Sequence, residues 1–200
     1  MDSVHNPDAS LASTGGAFKL SGAGTFEVTG GQIELIGSHE IHVFLSENGK
    51  KSEIAMSEGG WIQIDSGAAF RFGGWCQDAQ TSNNKGSLRV NGKGILWDTA
   101  TTHFDKLEGT GEIYVGNDSA GQSVLCLGTA NGSATFAGTI RDHRPESSAA
   151  GTVSLQKIGT GTQTMTGDIS IKQVSIEGGT RQIGNGGTTG TSVRGSGFGS

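Results

Sequence analysis

Leu155-Gln156-Lys157-Ile158-Gly159-Thr160-Gly161-Thr162-Gln163-Thr164-Met165-Thr166-Gly167 sets a Gly-x-Gly turn ahead of an alternating run suited to a β-strand, then closes it with another turn glycine. The same frame stands at Gly22-Ala23-Gly24-Thr25-Phe26-Glu27-Val28-Thr29-Gly30. Shorter echoes occur at Gly92-Lys93-Gly94-Ile95-Leu96-Trp97 and at Gly109-Thr110-Gly111-Glu112-Ile113-Tyr114-Val115-Gly116. Turn-then-strand units that recur predict a repeat protein. Gly161 is expected to hold a positive φ, which a branched side chain would oppose.

Thirty-six of the 200 residues are glycine, only two are proline, and 32% are apolar. Glycine at this density between short runs of Val, Ile, Leu, Thr and Phe fits many tight turns joining short strands. Strands are expected at Ala17–Leu20, Thr25–Thr29, Gln32–Ile36, Glu40–Leu45, Ser52–Met56, Trp61–Asp65 and Ala69–Phe72. They resume at Ser87–Val90, Ile95–Trp97, Glu112–Val115, Ser123–Leu127, Ala134–Ile140, Thr152–Leu155, Thr162–Thr166 and Ile169–Ile176. Ile33 and Leu35 alternate with Gln32 and Glu34, and Ile62 and Ile64 with Gln63 and Asp65, so one face is apolar and the other wet. With Leu125, Leu127, Ile169 and Ile171 they form the expected core. No stretch carries a convincing 3.6-residue apolar period, so helix is expected to be scarce.

The recurring frame, the short strands and the scarcity of two-residue hairpin turns favour parallel strands stacked through right-handed crossovers over up-and-down hairpins. The expected fold is therefore all-β: a single-domain right-handed parallel β-helix, or β-solenoid, over 15–183, with about seven or eight coils of roughly 20–25 residues. A polar lead-in or cap, 1–14, precedes it; Asn6 before Pro7 would start a short helix through Leu11, or the segment would fray. A Gly/Ser/Thr-rich tail or linker, 184–200, follows. The polar excursions Gln77–Gly86 and Arg141–Ala150 are where specificity would reside.

The net charge of −5, from 14 basic and 19 acidic side chains, comes without a basic block and argues against nucleic acid as a partner. No run of about 18 apolar residues is present, so this segment is not expected to insert into a membrane. Met1-Asp2-Ser3-Val4-His5-Asn6-Pro7 has neither the basic start nor the apolar centre of an export signal. Cys76 and Cys126 lack metal-ligand spacing. Cys126 reads as a small buried hydrophobe, and a Cys76–Cys126 disulfide is the alternative if the fold brings their Cα atoms within about 7 Å.

Leu155, Lys157, Gly159, Gly161, Thr162 and Gly167 fall on the pattern Leu-x-Lys-x-Gly-x-Gly-Thr, followed by alternating apolar positions and Gly; Ile176-Glu177-Gly178-Gly179-Thr180 supplies the Gly-Gly-Thr that commonly follows. Over 155–180 the chain resembles the autotransporter-associated β-strand repeat. It departs at Gln163 and Thr164, where that family prefers Leu then Thr or a similar alternation, and lacks the Asn-x-Tyr portion after Asp168. The resemblance implies a passenger-type, pectin-lyase-like right-handed parallel β-helix, exported and displayed on or released from a bacterial surface. It implies a structural or adhesive scaffold with no catalytic residue and no cofactor. Surface glycans, or ligands on a host or neighbouring cell, would be its partners.

Other chemistry is sparser. His39 and His42 are three apart, not the four of a helical zinc pair, and a strand points them to opposite faces. Asp65, Asp98, Asp105, Asp118 and Asp142 would supply paired carboxylates for a carbohydrate-active lyase or hydrolase, with Asp98 and Asp118 about one coil apart; carboxylates at strand ends are also ordinary turn chemistry. Trp61, Trp75 and Trp97, with Tyr114, would make a glycan-binding platform only if they faced outward in a row. Asn117-Asp118-Ser119 and Asn131-Gly132-Ser133 match the glycosylation sequon.

Overall fold

The computed structural model describes residues 25–28, 32–35, 40–43, 46–47, 50–51, 53–67, 69–72, 81–96, 101–116, 121–143, 151–184 and 191–194, with side chains for most of those from Met56 to Gly184. All regular elements among them are β-strands. Three parallel sheets carry the fold. The first holds Gln32–Leu35, Trp61–Ile64, Ser87–Val90, Leu107–Gly109, Ala134–Phe136, Thr162–Met165 and Thr180–Ile183. The second holds Glu40–Val43, Ala69–Phe72, Lys93–Leu96, Glu112–Val115, Thr139–His143, Asp168–Ile171 and Thr191–Arg194. The third holds Thr101–Phe104, Gln122–Leu127, Thr152–Lys157 and Gln173–Ile176. Thr25–Val28 pairs in parallel with Glu53–Met56, and Ser46–Glu47 forms a short antiparallel pair with Lys50–Lys51.

From Ser87 onward the chain visits the first, second and third sheets in rotation, and each strand pairs with its counterpart one circuit later. Circuits vary from 18 residues (Thr162 to Thr180) to 30 (Gln122 to Thr152). The variation is not shared among the corners. Between the first and second sheets the four links from Val90 to Asp168 are each two residues, Asn91-Gly92, Thr110-Gly111, Ala137-Gly138 and Thr166-Gly167, and only the last, 184–190, is longer. Between the second and third it ranges from one residue, Lys172, to the eight of 144–151. The constant corner is a column of glycines: a Cβ on Gly111 would collide with the backbone of Gly92, one on Gly138 with Gly111, and one on Gly167 with Gly138. Glycine is required there by close approach rather than by φ.

Inside, residues of one register stack into ladders. Ile64, Val90, Gly109, Phe136 and Met165 align in the first sheet; Phe70, Gly94, Ile113, Ile140 and Ile169 in the second; Phe104, Leu127 and Lys157 in the third. The apolar members form one continuous core, and each fully buried aliphatic or aromatic side chain contributes about 1.5–3 kcal/mol. Of the expected core residues, Ile62, Ile64, Leu125, Leu127, Ile169 and Ile171 are buried; the side chains of Ile33 and Leu35 lie outside the described residues.

Several sequence expectations are corrected. The Gly-x-Gly frame is not one repeated corner: Gly109-x-Gly111 leads into the second sheet, Gly159-x-Gly161 into the first, and Gly94 lies within a strand. Gly161 does not have a positive φ; Gly159 does, at 64°, whereas Gly161 is glycine because a Cβ would strike the Gly132 carbonyl. Ala134–Ile140 and Ile169–Ile176 are each two strands, broken by Ala137-Gly138 and by Lys172. Strands at Thr101–Phe104, Leu107–Gly109 and Thr180–Ile183 escaped the sequence reading, and Arg141–His143 belongs to a strand rather than an excursion. Thr191–Arg194, within the glycine-rich tail, pairs with Asp168–Ile171. The expected strand Ala17–Leu20 and the 1–14 lead-in lie outside the described residues.

The described end of the Gln77–Gly86 excursion also turns inward. Among the described residues, Thr81–Gly86, which is not a strand, lies between Glu53–Met56 and Thr101–Phe104. Lys85 N donates to Met56 O (2.9 Å) and Asp105 N to Gly86 O (2.7 Å). Side chains replace the other ladder bonds. The Asn84 Oδ1 accepts from Met56 N (3.1 Å) and Gly86 N (3.0 Å), while its Nδ2 donates to His103 O (2.8 Å). Thr81 Oγ1 accepts from His103 N (2.8 Å) and donates to Thr101 O (3.1 Å).

Candidate functional site

Leu155–Gly167 crosses the corner between the third and first sheets, and Lys157, Gly159 and Gly161 serve that corner. Leu155 is in the core. Lys157 follows Phe104 and Leu127 in an otherwise apolar ladder and is 1% exposed. Its ammonium donates to the Ile158 carbonyl and, at 3.4 Å, to that of Gly159. Burial pulls its pKa below the ordinary lysine value, against the opposing attraction of Asp105. Asp105, also buried, accepts at Oδ1 from Ala130 N (2.7 Å) and Gly132 N (2.9 Å) of the next circuit. In turn Asn131 Oδ1 accepts from Thr160 N and Ser133 Oγ from Thr162 N, both at 2.9 Å. Three successive circuits are thus tied at one corner by side chains that cap backbone groups the strands leave unpaired.

The outer faces carry polar ladders. On the first sheet the Arg89 guanidinium lies 4.4 Å from the Trp61 ring centroid and its Nε donates to Glu108 Oε2 at 2.7 Å. On the second, Arg141 Nη2 donates to Glu112 Oε1 at 2.7 Å, beside a shallow depression lined by Thr139, Arg141, Asp142, His143, Asp168 and Ser170. On the third, Gln122 Nε2 donates to Ser154 Oγ (2.6 Å) and Gln173 Oε1 (3.1 Å). Such faces can present hydrogen-bonding groups at the spacing of adjacent strands, about 4.8 Å.

Among the described residues, the carboxylates singled out from sequence, Asp65, Asp105 and Asp142, do not converge. Asp65 accepts from Gln63 Nε2 (2.7 Å), Asp105 is buried in the corner, and Asp142 Oδ1 accepts from Val153 N (2.9 Å) and Lys172 N (3.3 Å). Each is a tie between local groups or circuits. Asp98, Asp118, His39, Cys76, Trp75 and Trp97 lie outside the described residues, as does the side chain of His42. Tyr114 is buried with Ile95 and Ala69, so it is no part of an exposed aromatic row. Cys126 is a buried free thiol whose pKa burial pushes up to about 11. Among the described residues no three His, Cys, Asp or Glu side chains group as metal ligands would.

Several residues that tie circuits together, Lys157, Gln163, Asn84 and Thr81, were not picked out as functional. Only Lys157 carried a signal, its fixed place in the quoted pattern. Comparison of the chain with protein-family models, with curated proteins and with solved structures gives no match.

Proposed function

We propose that the chain is a right-handed parallel β-helix segment of an exported bacterial surface protein of autotransporter type, acting as a structural or adhesive scaffold. The observation that carries this reading is the use made of Leu155–Gly167. Leu155 and Met165 fill the core, Lys157 caps corner carbonyls, and Gly161 and Gly167 admit the backbone of the preceding circuit. The pattern shared with the autotransporter-associated repeat thereby encodes how one circuit seats on the next, which is a scaffold's task. The three parallel sheets visited in rotation support the β-helix part of the reading. Adhesion would draw on the polar outer ladders, with glycans as the chemically matched class of ligand.

The test is a glycan and polysaccharide array probed with the purified chain, with the same panel assayed for reducing ends and unsaturated products. Binding without product is the expected outcome. Product formation that disappears in Asp98→Asn or Asp118→Asn would replace the scaffold with a carbohydrate-active enzyme.

A further inference from the structure

Asn-Gly pairs occur at Asn48, Asn91, Asn131 and Asn185. In such pairs the glycine nitrogen can attack the preceding carboxamide carbon with no Cβ in the way. Asn91 and Asn131 are among the described residues, and both are exposed. At Asn131 every group the attack needs is held. The nucleophile, Gly132 N, donates to Asp105 Oδ1 at 2.9 Å, and that carboxylate is itself buried and fixed by Ala130 N at 2.7 Å. Asn131 Oδ1 accepts from Thr160 N of the next circuit at 2.9 Å, Asn131 N donates to Gly128 O at 3.1 Å, and the residue is locked at φ 65°. At Asn91 the nucleophile faces no carboxylate: Gly92 N and Asn91 N both donate to the neutral Ile64 carbonyl, at 3.0 and 2.7 Å, and Asn91 Oδ1 accepts from Thr110 N and Oγ1 at 3.3 and 3.4 Å.

We propose that Asp105 silences a succinimide-forming site at Asn131-Gly132, so that Asn131 converts to aspartate or isoaspartate only when this corner opens. In ring closure Gly132 N loses its proton and bonds to Asn131 Cγ; the Cγ–Nδ2 bond breaks, and ammonia leaves with that proton. Water then opens the ring at either carbonyl, giving aspartate or isoaspartate, with no oxidant or reductant required. In the closed corner this path first demands breaking a charge-assisted N–H···O⁻ bond and releasing Oδ1 from Thr160. Conversion leaves a new carboxylate close to Asp105, and isoaspartate adds a carbon to the backbone where Gly132 lies against Gly161 of the next circuit. The site is therefore an irreversible recorder of local opening, independent of what the protein binds.

The test follows Asn131 and Asn91 in one digest by mass spectrometry, after incubating the whole chain at mildly alkaline pH with and without urea. Asn131 should convert at least about tenfold more slowly in the native chain than in the unfolded one. Asp105→Ala should raise conversion at Asn131 several-fold relative to Asn91 in the same molecule. Equal native and unfolded rates at Asn131 would overturn the proposal. So would a rise at both sites together in the variant, or a fall at Asn131, which would make Asp105 a base that promotes the reaction. If Asp105→Ala does not fold, Asp105→Asn serves: an intermediate rate at Asn131 supports the proposal, and an unchanged or slower rate refutes it.

Discussion

Gln163 reaches past its neighbour in the first sheet to satisfy both backbone groups of Leu107, accepting from its N–H at 3.1 Å and donating to its carbonyl at 2.9 Å across 56 residues of sequence. The strand between them, Ala134–Phe136, pairs with Leu107–Gly109 only at Gly109 and Phe136, which leaves Leu107 in need of a partner. Gln163 is 2% exposed. Gln163→Leu, the residue the resembling repeat prefers, should therefore destabilise the chain by about 1–3 kcal/mol for each group left unpaired. A lower urea midpoint at unchanged slope is expected; an unshifted midpoint would mean the strands close over the gap.

Glycines of two kinds should respond differently to alanine. Gly59 holds φ 89° with open space where a Cβ would stand, so Gly59→Ala incurs only left-handed backbone strain, about 1–2 kcal/mol. Gly161 has ordinary φ, but its Cβ would meet the Gly132 carbonyl, and backbone cannot yield as a side chain can. Gly161→Ala should lower the melting temperature more than Gly59→Ala and expose the 152–184 region to limited proteolysis.

Acid should weaken the fold through His103. Burial lowers its pKa below the ordinary 6.5, so the unfolded chain takes up a proton more readily than the folded one. The ring's contribution is complete above the ordinary value and declines as pH falls through the folded-state value. Stability should drop as pH falls below the ordinary value of 6.5, and His103→Gln should flatten that part of the profile.

At alkaline pH two buried groups act with opposite sign. Cys126 is raised from 9.0 to about 11, so its contribution is present below the ordinary thiol value and is lost as pH rises. Lys157 is lowered, so its contribution grows as pH rises toward the ordinary lysine value of 10.5. Cys126→Ala should make the stability profile rise more steeply above about pH 9, and Lys157→Met should make it fall. Chemical denaturation across that range distinguishes the two.

The all-β class and much of the core were legible because period-two alternation around Ile62 and Ile64 reports directly on which face is buried, and the short apolar run holding Leu125 and Leu127 fits a strand. Rotation among three sheets was less legible. Its corners use the same local device, glycine beside a polar residue, so the sequence shows a turn without showing which sheets it joins. Strands such as Thr101–Phe104 and Thr180–Ile183 carry Thr, His, Arg and Gln and owe their conformation to pairing with neighbours rather than to their own apolar content. The buried polar ties were hidden for a related reason. Asn84, Asp105 and Gln163 satisfy backbone groups 19 to 56 residues away, a relation that exists only once the circuits are stacked.

Between Val90 and Asp168, the two-residue link between the first and second sheets and the variable-length link between the second and third divide the stack into a fixed spine and a permissive margin. Length added at the margin leaves the glycine column, and hence the register of each rung, untouched. Foreign peptides grafted between His143 and Thr152 should therefore be carried without penalty to the stack, whereas a single residue inserted at Thr110-Gly111 should derail every later rung. New binding loops can accumulate along one side of such a protein while the other side keeps count.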